Sequence, residues 1–343
     1  MLGKELHRGV PSNLGIERRE VGVEPVNEKI SFIERLSMGR PVLMDGAVNT
    51  ELSRKGLLFK SNEWLRINLE CPEILAQIHR DYARAGAELH IANSFSTARH
   101  VLEAAGLGEQ YEALNLAAVQ LCRDAIDAAA PHQQWIAGSL STYAPDCDRN
   151  NLPSFEVLQK NTAEQSALLA DAGCDILALE MLGDVDVSIA MLRGAARAAL
   201  PISIGLVCTQ GANGQAMLAG AGQVNLGVPT AMPLGQALTR ILDAVADTPT
   251  LVVTIMHSEP EHVGTALEAV RQVWSGDVGV YPNSGRGAGP AGWDTSDDCS
   301  PEELVQAFLL WMERELSIVG GCCGVGPEHV GALSTQLQNP GSL

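Results

Sequence analysis

The chain has 343 residues, 46% of them hydrophobic and 19% charged, which is enough apolar material for one large barrel or two ordinary domains. Its 23 Lys and Arg against 41 Asp and Glu give a formal net charge of −18, which excludes nucleic acid or an anionic membrane surface as the main partner, because both require basic patches. No stretch approaches the ~20 uninterrupted apolar residues of a membrane span, and the N-terminal MLGKELHRGVPSNLG has no apolar core of a secretory signal, so a cytoplasmic protein is expected.

Residues 1–30 are polar, rich in Glu, Arg, Gly and Pro, and read as a flexible arm, with a short helix near Asn27–Leu36. Strand-sized apolar runs then recur at regular intervals. Pro41–Met44 ends in Asp45-Gly46. Leu89–Ser94 follows a helical pattern over Pro72–Ala85, and Trp135–Ser139 follows another over Gln110–Ala130. Ile176–Glu180, Ile202–Cys208 and Leu251–His257 follow helical patterns over Phe155–Ala172, Val185–Ala199 and Leu234–Ala246. Val278–Tyr281 follows His262–Trp274, Ser317–Cys322 follows Glu302–Glu315, and a last helix is predicted over Glu328–Leu337. The segment Gln210–Pro233 is Gly-rich and lacks a helix pattern, so it reads as a long loop of the kind that carries function or motion.

Strands alternating with helices imply right-handed crossovers and a parallel sheet. Eight such units favour an α/β chain folded as a (β/α)8 TIM barrel, a single domain over residues 31–338, with 339–343 as a short tail. A doubly wound open sheet stays open as an alternative, because strand order is not written in the sequence. Chemically capable residues cluster where the runs end: Asp45, Asn93-Ser94, Ser139, Glu180, Cys208, His257, Asn283 and Cys322-Cys323. In a barrel those ends share one face, where chemistry is done.

Eight cysteines stand at positions 71, 122, 147, 174, 208, 299, 322 and 323. In a chain this large within a reducing compartment they suggest buried thiols and a metal site, not a disulfide framework. Cys322 and Cys323 are adjacent, and a trans peptide sets their Cα atoms ~3.8 Å apart, below the usual disulfide range. Flanked as Gly320-Gly321-Cys322-Cys323-Gly324, the two thiols suit a soft cation such as zinc; a pair of buried cysteines in a tight turn is the plainer alternative.

Over roughly residues 30–337 the chain resembles the homocysteine S-methyltransferase family of zinc-dependent thiol methyltransferases. The resemblance is carried by Met44-Asp45-Gly46-Ala47 with Glu51, Ala92-Asn93-Ser94-Phe95, Ala137-Gly138-Ser139 and Ala178-Leu179-Glu180, then Tyr281-Pro282-Asn283-Ser284-Gly285 and the Gly-Gly-Cys-Cys-Gly turn. It implies a (β/α)8 barrel, a Zn2+ cofactor, a small-molecule thiol acceptor and a cationic methyl donor. It also implies roles for Asp45, Gly46, Ser94, Ser139, Glu180 and Asn283 in holding the acceptor and for Trp64 in holding the donor, where an aromatic face attracts a sulfonium or ammonium cation by about 0.5–2 kcal/mol.

One position departs from the family pattern. Three cysteines hold zinc in that family, and two of them match Cys322 and Cys323; where the first belongs, this chain has His257, three residues before Pro260. Three readings stand open: His257 as a neutral imidazole ligand completing a His/Cys/Cys site, His257 as a base or substrate-binding group beside two thiolates, or a lost metal in a repurposed protein. Trp293 and Tyr143 are weaker donor-site candidates, and Cys147 and Cys208 read as structural. The leading function is a zinc-dependent S-methyltransferase acting on homocysteine or a similar thiol, with S-methylmethionine, S-adenosylmethionine or a betaine as donor. A subunit exchanging methyl groups with a corrinoid protein, and a non-catalytic relative, are the alternatives. Self-association into a homo-oligomer is left open.

Overall fold

Helix Pro72–Ala85 illustrates how local sequence sets the elements. Pro72 occupies its first turn, where the missing N–H costs nothing, and Gly86 closes it at φ 105°. Leu75, Ile78, His79 and Tyr82 recur at three- and four-residue spacing and form its buried stripe. Ser300 and Glu303 cap helix Pro301–Met312 reciprocally, and the Asp184 carboxylate accepts from Asp186 N and Val187 N at the start of helix Val185–Ala195.

The computed structural model describes residues 29–57, 64–142, 152–219, 232–248, 251–285 and 298–339, with the backbone of 288–289 and 292–293. Apart from 29–30 and 339, the predicted arm and tail lie outside the described residues, as do Tyr143 and Cys147; of Trp293 only the backbone is described.

Eight parallel barrel strands are β1 (Val42–Leu43), β2 (Leu89–Ala92), β3 (Trp135–Leu140), β4 (Ile176–Leu182), β5 (Ile202–Gln210), β6 (Leu251–Met256), β7 (Val278–Tyr281) and β8 (Ile318–Val319). Hydrogen-bonded neighbours run β2-β3-β4-β5-β6-β7-β8-β1. A parallel bridge between Met44 and Leu89 closes β1 onto β2, reinforced by Asp45 N donating to Leu89 O at 3.0 Å. The sheet is therefore a (β/α)8 barrel in a single domain, and the open-sheet alternative falls on that closing bridge.

Leu89, Ile91, Ala137, Ile176, Ala178, Ser203, Thr254, Tyr281 and Ile318 point into the barrel and fill it. Strand β3 is buried along its whole length, as expected of a parallel strand covered on both faces. At the N-terminal rim the short helix found within Asn27–Leu36 is Phe32–Leu36, and its buried Arg35 pairs with Glu88 at 2.7 Å while donating to the Arg40 and Pro41 carbonyls. Such a charge is tolerated in the interior because its donors are satisfied.

Two expectations are corrected. Strand β4 does not stop at Glu180; it continues to Leu182 through a register shift, with Met181 at φ 61°. Within Gln210–Pro233 the chain does not simply loop. A turn with Gly214 at φ 79° sends Ala216–Leu218 back antiparallel along the end of β5, and Met232–Pro233 pairs with that strand. Glycines supplied the reversal that a strand-length apolar run would otherwise have announced. Residues 220–231 lie outside the described residues.

Candidate metal centre

Three side chains meet at the C-terminal mouth of the barrel. His257 follows β6, with its N–H donating to Tyr281 O at 3.3 Å, and the Cys322–Cys323 turn follows β8, with Cys322 N donating to Pro282 O at 2.7 Å. His257 Nδ1 lies 3.5 Å from Cys322 Sγ and 3.5 Å from Cys323 Sγ, and the two sulfurs are 3.9 Å apart. Zinc binds imidazole nitrogen at ~2.0–2.1 Å and thiolate sulfur at ~2.3 Å, so tetrahedral geometry sets N···S edges of about 3.6 Å and an S···S edge of about 3.8 Å. The observed triangle has those dimensions. Its residues are all partly exposed, which leaves the fourth vertex facing the mouth.

The donor set also fits a cation chemically. The hydrogen bond shared with Cys323, and then burial, push the Cys322 thiol well above its ordinary value. Two adjacent sulfurs cannot both ionise there without a compensating positive charge. His257 holds φ 44°, a left-handed conformation that costs a non-glycine residue free energy and is seen at sites where the surrounding fold imposes it.

The turn itself is fastened from several sides. Gly324 N donates to Thr50 Oγ1 at 3.1 Å, Arg54 donates to Gly324 O at 2.9 Å, and Ser284 N donates to Cys323 O at 2.9 Å. Arg54 is bound in turn to Glu51 at 2.7 Å and Asp298 at 3.3 Å. A Cβ on Gly321 would sit 2.1 Å from Val325 Cγ1, so the glycine before the thiols is required for the turn to close.

Beside the thiols, Glu180 is 7% exposed and burial pushes its carboxyl up to about 7, against the pull of hydrogen bonds from Ser139 and Tyr281. The Ser139 hydroxyl donates to Glu180 Oε2. Asn283 Oδ1 is buried with no hydrogen-bond partner among the described residues, while Asn283 N donates to Ser258 O at 3.0 Å, next to His257.

A family model described as homocysteine S-methyltransferase matches residues 42–337. The chain belongs to the homocysteine S-methyltransferase family. It is 27% identical over 314 residues to the homocysteine S-methyltransferase of Escherichia coli K12, covering 86% of this chain and 94% of that one. It is 24% identical over 327 residues to the selenocysteine methyltransferase of Astragalus bisulcatus, covering 85% and 91%. The metallated crystal form of the homocysteine methyltransferase MmuM from Escherichia coli superposes with a TM-score of 0.70 at 25% identity, over 88% of this chain and 98% of that one. The protein is thus a methyltransferase of this family, built on the family's barrel.

The remaining predicted positions of this methyltransferase have other surroundings. Asp45 is fully buried, accepting from Ile91 N at 3.0 Å, and burial holds its carboxyl well above the ordinary carboxylate range. The close approach that Gly46 permits is to the protein itself: a Cβ there would lie 2.3 Å from Val325 O and 2.9 Å from the Tyr82 hydroxyl. Ser94 is buried and donates to Ser139 O at 2.8 Å, so its hydroxyl positions β3 beneath Glu180. Trp64 opens the short turn Trp64–Arg66 and packs, half-buried, against the cluster containing Leu65, Val101 and Leu114. Cys208 is buried, with its thiol pushed up by burial, and stands outside the metal-type cluster.

Sequence reading missed Thr50, Arg54 and Tyr82. Thr50 and Arg54 lie on helix Val48–Arg54, and Tyr82 lies on the helix after it. Their only sequence signal is a hydroxyl or cation at helical spacing, which a solvated or core face explains equally well.

Proposed function

We propose that this methyltransferase is zinc-dependent and moves a methyl group from a cationic donor to the thiol of homocysteine or a close analogue, forming methionine or its analogue. The observation that carries the reading is the His257–Cys322–Cys323 triangle, whose 3.5, 3.5 and 3.9 Å edges are those of three vertices of a tetrahedral zinc site. His257, Cys322 and Cys323 would hold the ion; once bound, it supplies Lewis acidity that lowers the pKa of an incoming thiol from ~8.5. Two thiolates and a neutral imidazole leave the site at zero net charge, against −1 for three thiolates.

The chain's own groups do the rest. Ionised Glu180, oriented by Ser139, faces the acceptor's ammonium group, and Asn283 Oδ1, unpartnered among the described residues, accepts a second hydrogen bond from it. Burial makes that ion pair strong, since little water competes. The acceptor thiolate attacks the donor's methyl carbon in line; the new S–C bond takes the thiolate's electron pair, and the cleaved bond leaves the donor neutral. Trp64 offers its ring to the donor cation, and its partly exposed position supports that assignment. The names of the Escherichia coli and Astragalus relatives support a sulfur or selenium amino acid as acceptor.

Residues 31–338 form the catalytic unit in this reading. The proposed site of action is the cytoplasm; no helix among the described residues is long and apolar enough to cross a membrane.

Zinc content combined with turnover tests the proposal. Zinc-loaded protein should methylate homocysteine with S-methylmethionine, S-adenosylmethionine or a betaine. Protein that takes up zinc yet methylates no thiol with any of the three would refute it.

A further inference from the structure

Behind the barrel wall, Asp45, His79 and His90 converge in a cluster that shares no residue with the thiol centre. Their potential ligand atoms all lie within 4.8 Å of one another, and all three residues are buried. Asp45 follows β1, His90 lies on β2 between the inward-facing Leu89 and Ile91, and His79 belongs to the buried stripe of helix Pro72–Ala85. The cluster therefore occupies the layer between barrel and helix.

Each residue contributes a buried atom without a hydrogen-bond partner among the described residues: Asp45 Oδ1, His79 Nδ1 and His90 Nδ1. Three such atoms in one place are costly unless something satisfies them together. The tautomer of His90 says what kind of group that is. Gln134 Nε2 donates to Ile126 O at 3.0 Å, which turns Gln134 Oε1 toward His90 Nε2 at 2.9 Å. His90 Nε2 must then carry the hydrogen, so Nδ1 keeps a lone pair. That lone pair stands 3.8 Å from Asp45 Oδ2. The separation is too long for a shared proton, yet close to the roughly 3.4 Å between N and O ligands on one tetrahedral zinc ion.

We propose that Asp45, His79 and His90 form a second metal site, taking a divalent first-row transition ion with zinc as the expected occupant. Two imidazoles and a carboxylate are an ordinary ligand set for such ions, and Gln134 on the far nitrogen of His90 is the outer hydrogen bond that fixes a ligating ring. The ion ties helix Pro72–Ala85 to β1 and β2. It also lies under the thiol turn, because Asp45 O accepts from Gly321 N at 3.1 Å and the Tyr82 hydroxyl donates to Val325 O at 2.9 Å. The inference rests on this cluster alone and stands or falls apart from the proposed reaction.

The site is closed by the helix, so the metal is supplied during expression of the full chain in zinc- or cobalt-supplemented medium. Expected contents are two ions per chain for the natural sequence, one for His79→Gln/His90→Gln, and one for His257→Ala/Cys322→Ser/Cys323→Ser. In the cobalt form, the ion kept by the triple variant should show visible d–d bands without a near-ultraviolet thiolate charge-transfer band, whereas the ion kept by the double variant should show that band. If the double variant does not fold, the triple variant decides: one ion without a thiolate band supports the site, and no ion overturns it. A natural chain holding one ion, lost with the cysteines, overturns it too.

Discussion

His257 Nδ1 and Cys322 Sγ stand 3.5 Å apart although 65 residues separate them in sequence. The contact brings the end of β6 to the end of β8 and places an imidazole where the family pattern has a thiolate. In the proposed zinc site, His257→Ala removes the nitrogen ligand while leaving both sulfurs. Zinc affinity at that centre should fall by at least a hundredfold, read by competition with a chromogenic chelator; unchanged affinity would remove His257 from the ligand set.

His257→Cys makes the complementary prediction. Three thiolates take the site from zero to −1 net charge, which weakens its pull on an incoming thiol proton. The pH at which thiol methylation becomes half-maximal should rise, while the more electron-rich thiolate reacts faster once formed. A pH–rate profile of the zinc-loaded variant checks both. The φ of 44° suits His better than Cys, so a small loss of thermal stability should accompany the change.

Glu180 gives the pH dependence its sign. Its carboxyl is raised from 4.5 to about 7 by burial, so below 7 it is increasingly neutral and cannot hold an ammonium group. The acceptor's KM should rise about tenfold per pH unit below 7. Between pH 4.5 and 7 the folded chain binds more protons at this position than the unfolded chain, so the group's contribution to stability is full at the acid end and is lost as pH rises to 7. Glu180→Gln should flatten both dependences, as followed by KM and by thermal melts across that range. A KM for Glu180→Gln that still climbs toward low pH would assign the dependence to another group.

The barrel was legible because its strands are apolar runs buried on both faces, each bounded by a helix whose stripe repeats at 3.6 residues. Pro72 and Gly86 even marked one helix to the residue. That Cys322, Cys323 and His257 come together was legible through motif order. What the sequence hid was contact between elements. His79 reads as one more member of a core stripe, and His90 as a polar interruption of β2; only the register of helix against strand brings them to Asp45. Nor does the sequence show that a Cβ on Gly46 would meet Val325 O and the Tyr82 hydroxyl, which come from elements remote in the chain. Glu180 was placed at a strand end because nothing local signals the shift that carries β4 to Leu182.

Gly46→Ala should consequently behave as a folding and metal-site variant. Its Cβ would meet Val325 O at 2.3 Å, a backbone atom that cannot swing aside, and the Tyr82 hydroxyl at 2.9 Å. Overpacking of this kind costs about 1–3 kcal/mol. Val325 N also donates to Cys322 O, so the displacement reaches the thiols. Denaturant unfolding and zinc content should both fall. A variant of natural stability with a raised acceptor KM would instead return Gly46 to the substrate pocket.

Arg54 is the cation that holds the thiol turn from behind. It donates to Gly324 O at 2.9 Å and is itself gripped by Glu51 and Asp298, the latter also accepting from Ser284 Oγ at 2.5 Å. Ser284 N binds Cys323 O, so one network reaches the carbonyls of both Cys323 and Gly324. Arg54→Met keeps the length of the side chain and deletes these donors, leaving the carboxylates of Glu51, Asp298 and Glu328 without this cation. Loss of such outer contacts typically weakens metal binding 10–100-fold, and that is the expected fall in zinc affinity at the thiol centre. Arg54→Lys should restore only part of it, because an ammonium cannot reach the carbonyl and the carboxylates with the fixed fork of a guanidinium. Equal zinc affinity in Arg54→Met and the natural chain would mean that the Thr50 hydroxyl and the Ser284 amide alone set the turn.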